Sequence, residues 1–385
     1  MERLYQMKMP SAVYSGAGAI SAVSGIIGNR YKKVVLFTDP SIQKAGLLDR
    51  VLREIDKCDA QVYVINGLAT EPTIYDVDKT IKQFRQEKYD FIVAVGGGSV
   101  MDVAKLASVL NTDDYTVFDM LNDSSVARKQ LPTLMIPTTA GTGSEATPNS
   151  IVCIPERQLK VGIVNDVLIA DYIILDVEMI RSLPRSIGAS TGVDALAHAI
   201  ECYTSKRATP FSDMMAMEAM RLIFPNIIPA VNGGDMEAKA QMLLASFYAG
   251  AAIAAAGTTA VHALAYPLGG KYHIAHGVSN AMLLVPVMRF NEPFCRGRLA
   301  QVYDVVMPQA PVGQGEKSAW VVNRLSEIIE ALNIPSNLKD FGVSKDDMEY
   351  LIQEGLDCRR LLDNNCRPVT YEDAKALYAS IMSEE

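Results

Sequence analysis

Apolar residues change their spacing once along the chain. Up to about residue 180, short runs rich in valine, isoleucine, leucine and phenylalanine alternate with longer stretches of helical pattern. The runs are KKVVLFTDP at 32–40, AQVYVING at 60–67, YDFIVAVGGG at 89–98, LPTLMIPTTAG at 131–141 and DYIILDVEM at 171–179. Runs of this length, bounded by glycine and proline, read as buried parallel strands with helical crossovers between them. Beyond residue 180 the segments lengthen, alanine, methionine and leucine take over, and β-branched runs disappear, which predicts a mostly helical second half. RSLPRSIGAS at 181–190 punctuates the change. The pattern therefore predicts an α/β domain over residues 1–180 and an all-α domain over 181–385.

Composition agrees with two domains, because a chain of 385 residues exceeds the size of about 250–300 residues at which single cores stop growing. With 49% hydrophobic and 21% charged residues, a globular protein with a large core is expected. The net charge of −8, without a block of lysine and arginine, argues against nucleic acid and anionic membranes as partners and leaves small molecules. MERLYQMKMP lacks the apolar core and cleavage site of a signal peptide, so a cytoplasmic protein is expected. AGAAIAAAG at 249–257 is too short to span a bilayer and reads as a tightly packed buried helix. The six cysteines contain no C-x-x-C pair and read as reduced thiols.

Two loops carry chemistry. In AVGGGSVMDVAK at 94–105 an apolar strand runs into Gly96, Gly97 and Gly98, then Ser99 and a helix whose first turn holds Asp102. Absent Cβ atoms let backbone N–H groups approach an anion, and the helix N-terminus adds a favourable dipole, which suits a pyrophosphate. Ser99 and Asp102 have capping-box spacing. PTTAGTGSEAT at 137–147 offers Thr138, Thr139, Thr142 and Ser144 after the next strand, on the same carboxyl edge. Asp39, ending VVLFTDP, has the chemistry to hold ribose hydroxyls and repel the extra phosphate of NADP; the plainer reading is a turn residue.

The chain has four histidines, three of them in GTTAVHALAYPLGGKYHIAHGVSN at 257–280. In STGVDALAHAIECYTS, Asp194 and His198 are four apart on one helix face. His262 lies on a second helix, and His276 follows once PLGG has turned the chain. Two helices would then converge one carboxylate and imidazoles on a divalent cation such as Fe²⁺ or Zn²⁺, between which ligand type does not choose. The structural alternative for each histidine is a hydrogen-bonded core residue.

Taken together, GGGSVMDVAK, PTTAGTGSE, GVDALAHAIE and HALAYPLGGKYHIAHG resemble the ordered motifs of the iron-containing, group III alcohol dehydrogenases of the dehydroquinate synthase-like superfamily. The likeness runs from SAVYSGAGAI near the start to NNCRPVTYEDAKALY near the end. It implies an N-terminal Rossmann-like domain, a C-terminal all-helical domain, an active site in the cleft between them, and a dimer. It also implies that Asp194, His198, His262 and His276 hold the metal. Gly97, Gly98, Ser99 and Asp102 would form the pyrophosphate loop, Thr138, Thr139 and Thr142 the second cofactor loop, and Asp39 the group favouring NAD. Asn149 and Lys160 match positions at the nicotinamide end, although Lys160 alone would read as a solvated lysine. The sequence departs from the family at Tyr266, where several relatives have histidine, at His273, where they lack one, at Cys366, where proline is common, and at Val100 and Met101.

The implied activity is reversible hydride transfer between NAD(H) and a small primary alcohol or aldehyde, with the metal as Lewis acid at the oxygen. No carboxylate stands out as a general base. His273 or Tyr266 could relay the proton, and His273 reads equally well as a surface residue or a support behind the ligands. The substrate is expected to be a short-chain aldehyde, with an acid-substituted one as an option. Alternatives are a zinc-dependent glycerol dehydrogenase-like enzyme, a dehydroquinate synthase-like lyase, for which the segment 250–276 lacks basic residues, and a non-catalytic assembly protein, which would not need all four ligands.

Overall fold

Each of the five apolar runs contains one strand of a six-stranded parallel sheet. In a computed structural model that describes residues 4–307 and 313–382, the strands are β1 (Ala12–Ser15), β2 (Lys33–Phe37), β3 (Gln61–Ile65), β4 (Phe91–Gly96), β5 (Thr133–Pro137), β6 (Asn149–Ile154), β7 (Leu159–Val164) and β8 (Tyr172–Leu175). The large sheet has the order β1-β8-β5-β4-β2-β3, and β6 and β7 pair separately. β1, β6 and β7 lie outside the expected runs because β1 is short and mostly exposed and β6 and β7 are only partly buried. β4 is buried along its whole length, with Val93 and Val95 packing on Val34, Leu36, Leu134 and Ile136 in one core. That burial explains why its sequence is continuously apolar rather than alternating.

Chain direction decides where ligands can bind this sheet. β2 pairs with β3 on one side and β4 on the other, so the chain reverses its direction of travel across the sheet between β2 and β4. At such a switch point the loops leaving the carboxyl ends diverge and open a crevice. Asp39 follows β2, and the glycine loop follows β4. This α/β unit comprises Lys8–Glu156 and Lys160–Leu183.

The second unit contains the described residues from Pro184 onward together with residues 4–7 and Arg157–Leu159. Five helices matter below: α1 (Gly98–Val109) in the α/β unit, and α2 (Arg185–Thr204), α4 (Met236–Ala256), α5 (Ala260–Tyr272) and α6 (His276–Val306) in the helical unit, where α3 (Pro210–Ile228) separates α2 from α4. From Gly192 to Thr204 every residue of α2 is buried, Asp194, His198 and Glu201 among them, so α2 is the central helix of this unit. AGAAIAAAG falls largely inside α4 and is mostly buried. α4 and α5 meet at a bend of 105°. Pro210–Gly233 is long and apolar enough by composition to cross a membrane, but it packs against α2 and α4.

One expectation fails here. PLGG does not turn the chain: Pro267–Gly270 continues α5, and the turn comes at His273, with φ 53°. Gly270 is required by close packing, since a Cβ there would lie 2.0 Å from the Gln158 carbonyl oxygen. All six cysteines are free thiols.

Candidate active site

Asp194 and His198 stand one turn apart on α2, His262 lies in the first turn of α5, and His276 is the first residue of α6. Three helices, rather than the expected two, therefore build the cluster. The Asp194 Oδ1 atom lies 3.8 Å from His198 Nε2, 3.6 Å from His262 Nε2 and 3.7 Å from His276 Nε2. One ligand atom from each of the four residues falls within 4.8 Å of all the others. Tetrahedral bonds of about 2.1 Å would place neighbouring ligand atoms about 3.4 Å apart, so little movement closes the set on one ion. Gly277 allows α6 to come this near, because a Cβ there would lie 2.2 Å from the Ser190 carbonyl oxygen of α2.

A second observation supports a cation. The Asn280 amide nitrogen lies 2.7 Å from Asp194 Oδ1, 3.1 Å from His262 Nε2 and 3.2 Å from His276 Nε2. An amide has two hydrogens for these three acceptors, and its own Oδ1 is buried without a partner. Lone pairs converging in excess of donors are satisfied by a second proton on an imidazole or by a Lewis-acidic ion. Burial would raise the Asp194 carboxyl, but the imidazoles of His198, His276 and His262 outweigh it and hold it well below the usual range. Burial would likewise lower His262, yet Glu201 and Asp194 raise it to about 9. The donor set of one carboxylate and three imidazoles fits a divalent metal such as iron or zinc.

Glu201 escaped the sequence reading. It is fully buried; Oε2 contacts His262 Nδ1, and Oε1 accepts from Thr259 N at 3.0 Å, Thr259 Oγ1 at 2.6 Å and Val261 N at 2.8 Å. Burial alone would raise the carboxyl, but His262 and these donors lower it. A signal was available: Asp194, His198 and Glu201 are spaced i, i+4, i+7, and Asn280 follows His276 by four, so each falls on the ligand face of its helix.

The loops of the α/β unit sort differently. Ser99 and Asp102 do not form a capping box. α1 has Gly97 as its N-cap with no side-chain cap, and Ser99 Oγ turns to the Thr70 carbonyl. Asp102 points inward, pairing with Lys105 Nζ at 2.9 Å and accepting from Ser144 Oγ at 2.5 Å and Ile151 N at 2.9 Å. Lys105, fully buried, also donates to the Ser144 carbonyl at 2.9 Å, to Thr147 and to the Asn149 carbonyl, so this pair ties α1 to the second loop. A Cβ on Gly96 would meet Val100 at 2.6 Å and one on Gly98 would meet Thr142 at 3.0 Å, whereas one on Gly97 meets nothing nearer than 3.7 Å. Internal packing thus demands Gly96 and crowds any side chain at Gly98, and Gly97 is the open position.

The hydroxyls of Thr138 and Thr139 are buried without partners, while Thr142 Oγ1 accepts from Ser144 N at 3.2 Å. Glu145, in the same loop, has an unpartnered Oε1, and burial pushes its carboxyl up to about 7. Asp39 caps the following helix, its Oδ1 accepting from Ser41 N at 2.8 Å, Ser41 Oγ at 2.5 Å and Ile42 N at 3.2 Å. Asn149 opens β6. Lys160 is not solvated; it is buried and paired with Glu71 Oε1 at 2.6 Å.

Tyr266 and His273 part company. Tyr266 is buried, its ring centroid 6.1 Å from that of His276, and burial pushes its phenol up against a smaller opposing effect of Arg360. His273 is exposed at the C-terminus of α5.

Comparison with known proteins agrees with this geometry. A profile of iron-containing alcohol dehydrogenase matches residues 10–177, and one of the Fe-containing alcohol dehydrogenase family, C-terminal, matches residues 188–382. Long-chain-alcohol dehydrogenase 1 of Geobacillus thermodenitrificans is 38% identical over 352 residues, covering 90% of this chain and 89% of that protein. A solved 1,3-propanediol oxidoreductase superposes with a TM-score of 0.92 at 30% identity, over 98% of this chain and 99% of the other. Sulfoacetaldehyde reductase from Bifidobacterium kashiwanohense, solved in complex with NAD⁺, gives a TM-score of 0.88 at 27% identity over 100% of both chains. The chain belongs to the iron-containing alcohol dehydrogenase family and is a metal-dependent alcohol dehydrogenase or aldehyde reductase.

Proposed function

We propose that the protein interconverts a small primary alcohol and its aldehyde with NAD(H), using Fe²⁺, or Zn²⁺ in its place, held by Asp194, His198, His262 and His276. The observation that carries this reading is the convergence of these four ligand atoms within 4.8 Å. The metal supplies a Lewis acid for the reacting oxygen and the nicotinamide supplies or accepts hydride. Asp194 offsets part of the cation's charge, and its burial with His198 and His262 keeps competing water away. In the α/β unit, the uncapped N-terminus of α1 and the open position at Gly97 suit a pyrophosphate. The unpartnered Thr138 and Thr139 hydroxyls offer hydrogen bonds to the cofactor. Asp39 spends Oδ1 on its cap and offers Oδ2 to a ribose, which favours NAD over NADP. Asn149 and Lys160 are assigned to the nicotinamide end.

For proton transfer the position of Tyr266 beside His276 favours it over His273. Its buried phenol keeps its proton near neutral pH and donates a hydrogen bond rather than acting as a base. Relatives named for long-chain alcohols and for sulfoacetaldehyde differ in length and charge of substrate, so both properties belong in the screen. The test is NADH consumption by anaerobically iron-loaded enzyme over a panel of neutral and acid-substituted aldehydes. Stoichiometric oxidation with at least one short aldehyde is expected; no turnover with any aldehyde would favour a lyase or an assembly role.

A further inference from the structure

We propose that Glu201 is a positioning residue that fixes His262 with its proton on Nδ1, so that Nε2 alone presents a lone pair to the metal. The inference rests on reading His262 as a ligand and adds the group that makes it one. A neutral imidazole has one donor and one acceptor nitrogen, and the partner of one decides the role of the other. Glu201 Oε2, an acceptor, faces Nδ1. On the opposite side of the ring, Nε2 faces Asp194 Oδ1 at 3.6 Å and the Asn280 amide nitrogen, a donor, at 3.1 Å. Asp194 at 3.6 Å is too far for a hydrogen bond, so the two groups within hydrogen-bond distance, Glu201 and Asn280, agree on a protonated Nδ1 and a free Nε2.

The carboxylate is itself held so that it cannot rotate. Oε1 takes three donors, the Thr259 and Val261 amides and the Thr259 hydroxyl, which are the otherwise uncapped beginning of α5. A negative group at a helix N-terminus is stabilised by the exposed N–H groups. Glu201 thus joins α2 to the start of α5 with one oxygen and orients the α5 ligand with the other.

This arrangement makes Glu201→Gln a specific perturbation rather than a loss of volume. Only one amide position can accept. Three donors at the Oε1 site outvote one at the Oε2 site, so the amide NH₂ turns toward His262. Nδ1 must then accept, the proton moves to Nε2, and the lone pair that should bind metal is lost. Partners behind a ligating histidine are typically worth about 10–100-fold in metal affinity.

Two measurements test this on wild-type, Glu201→Gln and His262→Ala proteins. The first is zinc affinity by chelator competition; about 10–100-fold weaker binding is expected for Glu201→Gln. The second is nitrogen-15 histidine NMR of the zinc-loaded wild type, with His262 assigned by its absence in His262→Ala. A protected Nδ1 proton and a zinc-bound Nε2 are expected, and the Nδ1 proton should vanish in Glu201→Gln. Wild-type affinity in Glu201→Gln, or zinc on Nδ1 of His262 in the wild type, overturns the proposal. If His262→Ala keeps full zinc affinity, the ligand reading has failed instead. Should Glu201→Gln not fold, the wild-type spectrum decides alone.

Discussion

In the helical unit, the groups that converge on one point are held by their neighbours: His262 by Glu201, Asp194 by Asn280, and α6 against α2 by Gly277. In the α/β unit, the scaffold beneath the loops is equally firm, with Asp102 and Lys105 saturated, yet the loop above it leaves Thr138 Oγ1, Thr139 Oγ1 and Glu145 Oε1 buried without partners. A small ion needs ligands fixed in advance, because a displacement of a fraction of an ångström breaks its shell. A dinucleotide is large and brings its own donors and acceptors, so its loops need only a rigid base and groups left open. The same contrast makes the two regions separable by mutation.

The largest expected effect is that of His262→Ala. It should lower bound divalent metal and reduce turnover by about 10³-fold or more, the scale of a lost Lewis acid. NADH binding, followed by fluorescence titration, should stay within about twofold, since the four clustered residues and the loops proposed for the cofactor belong to separate units. An equal loss of cofactor affinity would break the comparison.

Next comes Glu145→Gln. A carboxyl raised from 4.5 to about 7 in the folded state binds its proton more tightly there than when unfolded. Wild-type stability should therefore fall as pH rises from about 4.5 to about 7 and level off above it. Glutamine removes the ionisation, so the variant should gain nothing at pH 4 and up to about 3 kcal/mol at pH 8, at ~1.4 kcal/mol per pH unit. Urea unfolding across that range checks it; a pH-independent gain would mean that Glu145 is not buried as a carboxylic acid. Gly96→Ala should cost about 1–3 kcal/mol through overpacking against Val100, read as a lower unfolding midpoint with metal content unchanged.

Smaller effects sharpen the picture within each region. Thr138→Val should raise the KM for NADH about fivefold, the scale of one neutral hydrogen bond, and leave kcat and metal content alone. Asp39→Gly should narrow the preference for NADH over NADPH, measured as a ratio of kcat/KM. Tyr266→Phe should lower kcat more than His273→Gln, because only Tyr266 packs beside His276. The reverse order would return the relay to His273.

Periodicity made the fold legible. Five strands lay inside the five apolar runs; β2, β4, β5 and β8 are buried along nearly their whole length and cannot hide their composition, and β3, at the sheet edge, shows through its β-branched and aromatic residues. β1 was missed because it is short and mostly exposed, and the β6–β7 pair because each strand is only partly buried. The cluster of Asp194, His198, His262 and His276 was legible from i, i+4 spacing and from the clustering of a rare residue. Their supports were not: Glu201 in GVDALAHAIE looks like any helical glutamate until Thr259 and Val261, about 60 residues on, are seen to face it. The capping box at Ser99 and Asp102 failed for the same reason, because a buried lysine and a second loop compete for the aspartate and local spacing records neither.

The central claim, one divalent metal at the four-residue cluster required for turnover, is tested most directly by anaerobic titration of metal-free enzyme with Fe²⁺ while NADH oxidation by a short aldehyde is followed. The account predicts activity rising linearly to a break at one metal per chain, with no such rise in Asp194→Asn. Full activity before metal is added, or the same break in Asp194→Asn, would contradict it.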